Sequence, residues 1–439
     1  MRRIGVITIA ITIVAIAACG DIIDVPAPIV PDASQSVYVS PLGTDAPGCG
    51  TDQAPCKTIA RGIAARDATH SIVVVGEGSY GESVELVAGL VLSGGWKVFE
   101  TTAGRLDWRQ AAAPRADAVK LVPPPGSAGL VAKNIDGSAS VSLMYVVANA
   151  ASAPSGSAYG VFVLGDGKPT TVALEDVHVV AGPGGDGVNG TQGSIGSAGT
   201  GTCAFGSGLV GLVGAKGESG HGAMGAAGWV PSRGKDGTGG GVGNAGGEGT
   251  PPGAGGSFSE CLVTIKPTKT CMNGGPGPTV SGNPGEAGCG GNGGSGGSGG
   301  VGGGASFAVF AFGAKAVVSV TRGTYTSGRG GAGGAGGSGG SGGPGAVGVA
   351  GEPSALVTKG CAGTDCESGT YAGGGPGGTG GQGGLGGQGG GGDGGPSAIF
   401  ARGAGASIAH DGSVVEAGGG GAPGPSNGLV GASGVDLQP

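Results

Sequence analysis

The side chains that could carry acid–base or nucleophilic chemistry are few and scattered in this 439-residue chain. The closest groupings are the fragment His410-Asp411-Gly412 and the neighbouring acids Glu175-Asp176. Catalysis needs titratable groups that lie together with tuned pKa values, whereas neighbours in a strand point to opposite faces. We therefore expect both groupings to be solvated polar surface. The sequence predicts no catalytic residue, no cofactor and no metal site.

Cysteine is the other reactive residue type, with nine copies. Setting aside Cys19 leaves an even number, which in an exported chain indicates disulfides rather than free thiols. The candidates are Cys49, Cys56, Cys203, Cys261, Cys271, Cys289, Cys361 and Cys366. We expect the two pairs closest in sequence, Cys49/Cys56 and Cys361/Cys366, and leave the remaining connectivity open. Zinc is the alternative, but the spacings do not form two CxxC pairs.

Cys19 follows a segment with the features of an export signal. Arg2 and Arg3 precede the apolar run Ile4–Ala18, and that run is shorter than the roughly 20 residues of a membrane span. The residues Ile16-Ala17-Ala18-Cys19 resemble the lipobox of bacterial lipoproteins, in which the chain is cut before the cysteine and its thiol receives a lipid. An ordinary cleaved signal and an uncleaved anchor are the alternatives.

The lipobox resemblance implies a signal peptide over residues 1–18 and a lipid on Cys19 that holds the chain on a membrane. Gly20 at the next position favours the outer membrane. Residues 19–36 contain three prolines, which favour an extended spacer. We therefore expect a lipid-anchored tether that lifts the rest of the chain off the membrane.

The segment after the tether has short apolar strands separated by glycine turns. It contains YVSPLGTDAPGCGTDQAPCKTIARGI (38–63) and SIVVVGEGSYGESVELVAGLVLSGGW (71–96). These strings resemble the opening of bacterial surface proteins with a right-handed parallel β-helix of the pectin-lyase-like superfamily. The resemblance implies an all-β solenoid. The apolar spacing of Lys57–Asp67 predicts a helix, which would cap it.

Three later segments align with one another, at 158–187, 305–334 and 397–424. Each has an apolar strand, a glycine turn, a second strand with alternating residues and a glycine-rich exit. One such unit cannot bury its own apolar face, so we expect the units to stack as solenoid rungs. The residues predicted to stack in register on one inward face are Val161, Val163, Phe307, Val309, Ile399 and Ala401.

Glycine-rich excursions separate these rungs and contain most of the 114 glycines. Glycine recurs at every third position over 184–199, 282–303, 330–351 and 374–395. A helix with three residues per turn would align these glycines in columns, so the spacing predicts bundles of polyglycine-II type with antiparallel neighbours. The alternative is a disordered linker. In composition the tracts resemble the glycine-rich repeats of PGRS-type bacterial surface proteins.

These patterns predict the following organisation. The ranges are a signal peptide (1–18), a tether (19–36), an N-terminal β-helix part (37–181), a glycine-rich insertion (182–304), a rung (305–327), a second insertion (328–396), a last rung (397–417) and a tail (418–439).

Composition narrows the classes of function. The net charge is −7 without a basic patch, which argues against nucleic acid as a partner. We expect a lipid-anchored surface protein that is not an enzyme, with a structural or adhesive role and a glycan or protein ligand on the cell surface. The alternative is a polysaccharide-active β-helix enzyme, either a lyase or a glycoside hydrolase.

Overall fold

The computed structural model describes residues 31–110, 115–248, 283–353 and 373–438, together with the backbone of four short strands between 259 and 370. Cys19 and the signal region lie outside the described residues. Within the described part, no helix combines the length and the apolar character needed to cross a bilayer.

The elements follow one another in repeating circuits. The first part contains β1 (Ser36–Val39), α1 (Ile59–Ala64), β2 (Ile72–Gly76), β3 (Gly78–Tyr80), β4 (Val84–Glu85), β5 (Leu90–Glu100), β6 (Leu106–Gln110), a 3-10 helix (Ala116–Ala118), β7 (Val119–Leu121), β8 (Leu130–Lys133), β9 (Gly137–Ser142), β10 (Tyr145–Ala148), β11 (Ala158–Leu164), β12 (Thr170–Glu175) and β13 (His178–Ala181). The second part contains β14 (Thr202–Cys203), β15 (Ala223–Gly225), β16 (Gly228–Val230), β17 (Ser259–Leu262), β18 (Thr270–Met272), β19 (Ala287–Gly288), β20 (Ser306–Phe312), β21 (Ala316–Thr321), β22 (Thr324–Thr326), β23 (Leu356–Ala362), β24 (Asp365–Thr370), β25 (Ser397–Gly403), β26 (Ser407–Asp411), β27 (Val414–Glu416) and β28 (Ser433–Leu437).

Three sheets with parallel strands form a solenoid. Sheet 1 has the order β1-β2-β5-β9-β12-β21-β26, with β6 antiparallel on β5. Sheet 2 has the order β3-β7-β10-β13-β22-β27, and sheet 3 has the order β4-β8-β11-β20-β25-β28. The chain visits sheets 1, 2 and 3 in turn, so each circuit is one rung. This arrangement confirms the predicted all-β parallel β-helix.

The interior is a single apolar column built from rung to rung. Val161 on β11 pairs with Leu130 on β8 and with Val309 on β20, and all three are fully buried. Equivalent positions on these three rungs carry aliphatic residues, which lets each rung cover the apolar face of the next.

The predicted inward set is wrong at two positions. Val161, Val163, Val309 and Ile399 belong to the interior column, but Phe307 and Ala401 belong to a second cluster on the outer face of sheet 3. Strands β20 and β25 are apolar on both faces because another part of the chain covers the outside of sheet 3. Alternation of apolar and polar residues therefore could not identify the inward face.

The capping helix is shorter than predicted. The sequence indicates a helix over Lys57–Asp67, whereas α1 spans Ile59–Ala64. Thr58 begins it, because its hydroxyl accepts a hydrogen bond from the Arg61 backbone N–H at 3.2 Å. Ile59 is fully buried against the first rungs.

The glycine-rich excursions all leave the β-helix at the same corner, between sheets 2 and 3. They start after β13, β22 and β27 and return at β20, β25 and β28. The expected tail therefore ends in β28, which completes the last rung. The described parts of the excursions contain seven extended tracts, defined here as tract A (184–201), tract B (206–220), tract C (234–247), tract D (285–304), tract E (329–351), tract F (374–395) and tract G (418–425).

Backbone hydrogen bonds between tracts repeat every three residues, as polyglycine II requires. Gly291, Gly294 and Gly297 of tract D donate to tract F at 2.9, 3.0 and 2.9 Å. Tract D also bonds to tracts A, C and E, and tract F bonds to tracts B, C, E and G. This set of neighbours describes three stacked layers: A, E and G; then D and F; then C and B.

The prediction that neighbouring tracts run antiparallel is wrong within two of the layers. Gly187 and Gly190 of tract A donate to Ala332 and Ala335 of tract E, so these tracts are parallel. Tracts D and F are parallel as well, whereas tracts A and D are antiparallel. Successive excursions leave from stacked rungs at the same corner, so equivalent tracts lie side by side and run in the same direction.

A matched pair of glycines tests whether the bundle depends on close backbone approach. At Gly297, a Cβ would overlap the carbonyl oxygen of Gly337, whereas at Gly239 it would meet only ordinary contacts, with Gly294 O at 3.6 Å. Gly297→Ala should therefore lower the free energy of unfolding in urea by at least about 2 kcal/mol. Gly239→Ala should leave it unchanged or raise it by up to about 1 kcal/mol. Equal changes in the free energy of unfolding for the two variants would contradict the bundle.

Candidate functional site

Glu175 and Asp176 lie beside a cation that the sequence pattern did not reveal. Asp176 follows β12 in the left-handed region at φ 49°, and Arg322 has the same conformation one rung later at φ 60°. The Arg322 guanidinium donates to Asp176 at 2.8 and 2.7 Å and to Glu175 at 2.7 Å. These hydrogen bonds lower the pKa of Asp176 and raise the pKa of Arg322. Asp176 and Arg322 are therefore both ionised at neutral pH. We call Glu175, Asp176 and Arg322 the corner cluster.

His410 and Asp411 lie one rung further along and do not form a pair. The His410 ring stacks on Phe400, with 4.6 Å between the ring centroids, and its Nε2 lies 3.6 Å from a carboxylate oxygen of Asp436. Asp411 occupies the register position that Thr321 holds in the preceding rung. Across the described residues, no group of three or more His, Cys, Asp or Glu side chains could hold a metal ion.

Two disulfides are present among the described residues. One joins Cys49 and Cys56 in the loop before α1, a pair expected from the sequence. The other joins Cys203, beyond the end of tract A, to Cys289 of tract D, and it links two tracts far along the chain from each other. The backbone register places Cys261 opposite both Cys271 and Cys366. The side chains of these three cysteines and of Cys361 lie outside the described part.

The hairpin β15–β16 holds the bundle against the outer face of sheet 3. The Trp229 backbone N–H donates to the Tyr159 hydroxyl at 2.7 Å, and its indole N–H donates to the Gly303 carbonyl at 3.1 Å. Trp229 also packs on the outer apolar cluster that contains Phe162 and Phe310. Because the hairpin connects tracts B and C, it fixes the outer layer of the bundle to the β-helix.

Among the described residues, tract B carries the largest concentration of exposed apolar side chains. Its glycines form one column that faces tracts C and F, so the other two columns face outward. Leu212 is 83% exposed and Val213 is 67% exposed. Leu385 of tract F lies alongside, because its carbonyl accepts from Gly214 at 2.8 Å. We call this surface the apolar ridge; its residues are Phe205, Leu209, Val210, Leu212, Val213 and Leu385.

The apolar ridge is suited to binding a ligand rather than to catalysis. Its six side chains carry no polar group, and neighbouring exposed apolar side chains of this kind indicate an interaction site. The bundle backbone beneath it is cross-linked by hydrogen bonds, so the ridge is presented in a fixed arrangement. The sequence signal was the string LVGLVG at 209–214, where apolar pairs alternate with single glycines.

Comparisons with solved structures give weak likenesses, two pectin methylesterases among them. No protein-family model and no curated protein sequence matches the chain. The pectin methylesterase PemA from Erwinia chrysanthemi matches with 14% identity and a TM-score of 0.21, covering 34% of this chain and 46% of that enzyme. A mutant pectin methylesterase in complex with a hexasaccharide matches with 13% identity and a TM-score of 0.18, covering 33% of this chain and 48% of that enzyme.

Both similar structures are enzymes, and they contradict the prediction that this chain is not an enzyme. That prediction is withdrawn. The chain spans less than half the length of either enzyme, and at these TM-scores the likeness carries no argument about a reaction. The parallel β-helix is established instead by the register of the strands of this chain.

Proposed function

We propose that this chain is a lipid-anchored cell-surface protein that binds its ligand through the apolar ridge. The observation that carries the proposal is the row of exposed leucines and valines on tract B, with Leu212 83% exposed. The β-helix supports the glycine bundle, and the bundle projects the apolar ridge from the corner between sheets 2 and 3. The bundle and its ridge would act in adhesion to another cell or surface.

The rigidity of the bundle supports binding through this surface. Four of the ridge residues lie on tract B, whose glycines donate hydrogen bonds to tract F at 2.8 to 2.9 Å over 211–217. A ridge fixed in this way loses little conformational freedom when a ligand covers it. Covering an exposed leucine contributes roughly 1.5–3 kcal/mol, so a few such side chains suffice for a specific contact.

Two leucine substitutions test the role of the ridge, with a matched pair elsewhere on the bundle as control. Leu209→Ser with Leu212→Ser should reduce the binding of protein-coated beads to cells by at least about tenfold, because two buried leucine contacts are lost. Val188→Ser with Ile195→Ser on tract A should leave the fraction of bound beads nearly unchanged, although these residues are 49% and 71% exposed. Equal losses for the two variants would show that the ridge is not the binding surface.

The anchor is tested separately at the N-terminus. The sequence Ile16-Ala17-Ala18-Cys19 supports cleavage before Cys19 and acylation of its thiol, and Gly20 supports an outer-membrane location. Mass spectrometry of the N-terminal peptide from native membranes should show acyl chains on Cys19. An unmodified thiol, or cleavage at another bond, would refute the anchor without affecting the ridge.

A second candidate is a polysaccharide-active enzyme, favoured by the corner cluster of Glu175, Asp176 and Arg322. A carboxylate kept ionised beside a guanidinium can act as a base or nucleophile, while the cation orients an acidic sugar. The three groups come from adjacent rungs and are about half exposed, so a polymer lying along the β-helix could reach them.

The enzyme candidate predicts a measurable activity of the purified protein. It should release methanol or new chain ends from polysaccharides, methyl-esterified pectin among them, and Asp176→Asn should abolish the release. Asp411→Asn is the matched control, because Asp411 occupies the equivalent edge of the next rung and should leave the release intact. No release from any substrate, or equal loss in both variants, would eliminate this candidate.

A further inference from the structure

A cavity lies where the bundle meets the outer face of sheet 3. Its walls come from the hairpin β15–β16, from the end of tract F and from residues 429–432, which we call the return segment because it leads back to β28. The volume is about 230 Å³. This is below the roughly 300 Å³ at which pockets for drug-sized molecules begin, so the cavity is suited to a single side chain. Its apolar lining residues are Ala223, Met224, Trp229, Pro396, Leu429, Val430, Ala432 and Leu437.

Hydrogen bonds and packing hold the walls of the cavity in place. The Gly394 N–H donates to the Leu429 carbonyl, and the Ser397 N–H donates to the Ala432 carbonyl, both at 2.9 Å. On the opposite wall, Met224 packs against the outer apolar cluster of sheet 3. The cavity is therefore formed before a ligand arrives, which limits the conformational entropy lost on binding.

One polar pair lies at the rim of the cavity. His221 follows tract B, and its Nδ1 lies 2.7 Å from Oδ2 of Asp393 in tract F. The other carboxylate oxygen, Oδ1, accepts from the backbone N–H of Leu429 at 2.7 Å. The Asp393 side chain is only 13% exposed, whereas the His221 side chain is 65% exposed. The carboxylate is thus enclosed, and the imidazole lies at the mouth of the cavity.

The nitrogen and oxygen atoms of the lining side chains are bonded, with one exception. Asp393 uses both carboxylate oxygens, and the Trp229 indole N–H donates to the Gly303 carbonyl at 3.1 Å. The carboxylate contact places the proton of the neutral His221 ring on Nδ1, which leaves Nε2 as an acceptor. Within the described part of the chain, no group donates to this Nε2. It is therefore the side-chain atom that can accept a hydrogen bond from a ligand.

The position of this acceptor defines the chemistry of the ligand. The interior of the cavity takes an apolar side chain, because its lining offers no other free nitrogen or oxygen of a side chain. Nε2 lies at the mouth, where the backbone of a polypeptide carrying that side chain would pass and could donate an N–H. Leu429 and Val430 are more than half exposed beside the cavity, so they would contact the neighbouring residues of the same polypeptide.

We propose that this cavity binds a phenylalanine side chain of a protein ligand, whose own backbone N–H donates to Nε2 of His221. Phenylalanine is suited to the site because an aromatic ring packs favourably on the Trp229 ring and on the Met224 thioether. The inference does not depend on the apolar ridge, since the tract B residues of the ridge lie before Gly214 and each surface is tested separately.

The test uses the full chain, isotope-labelled at its methionine methyl groups, and the probe N-acetyl-phenylalaninamide in mildly alkaline buffer. The Met224 methyl resonance should shift saturably with an affinity in the millimolar range, because a single side chain supplies little contact area. Met144, fully buried inside the β-helix, is the internal control and should not shift. Absence of a saturable Met224 shift, or equal shifts of both resonances, would overturn the proposal.

A second probe tests the hydrogen bond to His221. N-acetyl-N-methyl-phenylalaninamide lacks the N–H donor and should bind about fivefold more weakly, the usual effect of one hydrogen bond. His221→Asn removes Nε2 but keeps an amide that can donate to Asp393, so this variant should bind the two probes equally. Equal binding of the probes by the parent, or a preference that persists in His221→Asn, would refute the assigned role of His221.

A tryptophan pair locates the binding site. Val430→Trp should fill the cavity and weaken binding of N-acetyl-phenylalaninamide at least tenfold. Val414→Trp, at an equally exposed valine on β27, should leave binding unchanged, and both variants should melt at the temperature of the parent. Equal affinities of the two variants would place the probe outside the cavity and overturn the proposal.

Discussion

Backbone-to-backbone contact between glycine tracts is the constraint on which the rest of the structure depends. Where two tracts meet, a Cβ added to a facing glycine would overlap a carbonyl oxygen of the neighbouring tract, as it would at Gly297 against Gly337. The number of glycine columns follows from the number of neighbours: the central tracts D and F carry two columns, and tracts A and B at the edges carry one. The edge tracts are therefore free to carry side chains outward, and the apolar ridge occupies such a position.

The β-helix supplies the packed side chains and the fixed starting points that the glycine tracts lack. Glycine loses more conformational entropy on ordering than any other residue, and an isolated tract has no side chains to pack. Because every excursion leaves and returns at one corner of stacked rungs, tracts A and E, or D and F, start side by side and in register. The Cys203–Cys289 disulfide and the Trp229 contacts restrict the excursion further.

The sequence predicted the parts of the fold that rest on local periodicity. The rungs at 158–187, 305–334 and 397–424 and the columns of tracts A, D, E and F were visible as repeats. Tracts B and C were missed, although glycine recurs every third residue over 208–220 and 234–246, because lysine, valine and asparagine between the glycines obscure the pattern. The orientation of Phe307 and the pairing of Arg322 with Asp176 depend on what covers a sheet and on which rungs stack. Neither is encoded in neighbouring residues.

Hydrogen exchange of the tract amides tests the central claim most directly. In the bundle, the amides of Gly291, Gly294 and Gly297 donate to tract F in the centre of the three layers. In the oxidised protein they should exchange at least about a hundredfold more slowly than in an unstructured peptide, since exchange requires the bundle to open. Exchange at the rate of an unstructured chain, with the amides of the β-helix still protected, would contradict the account.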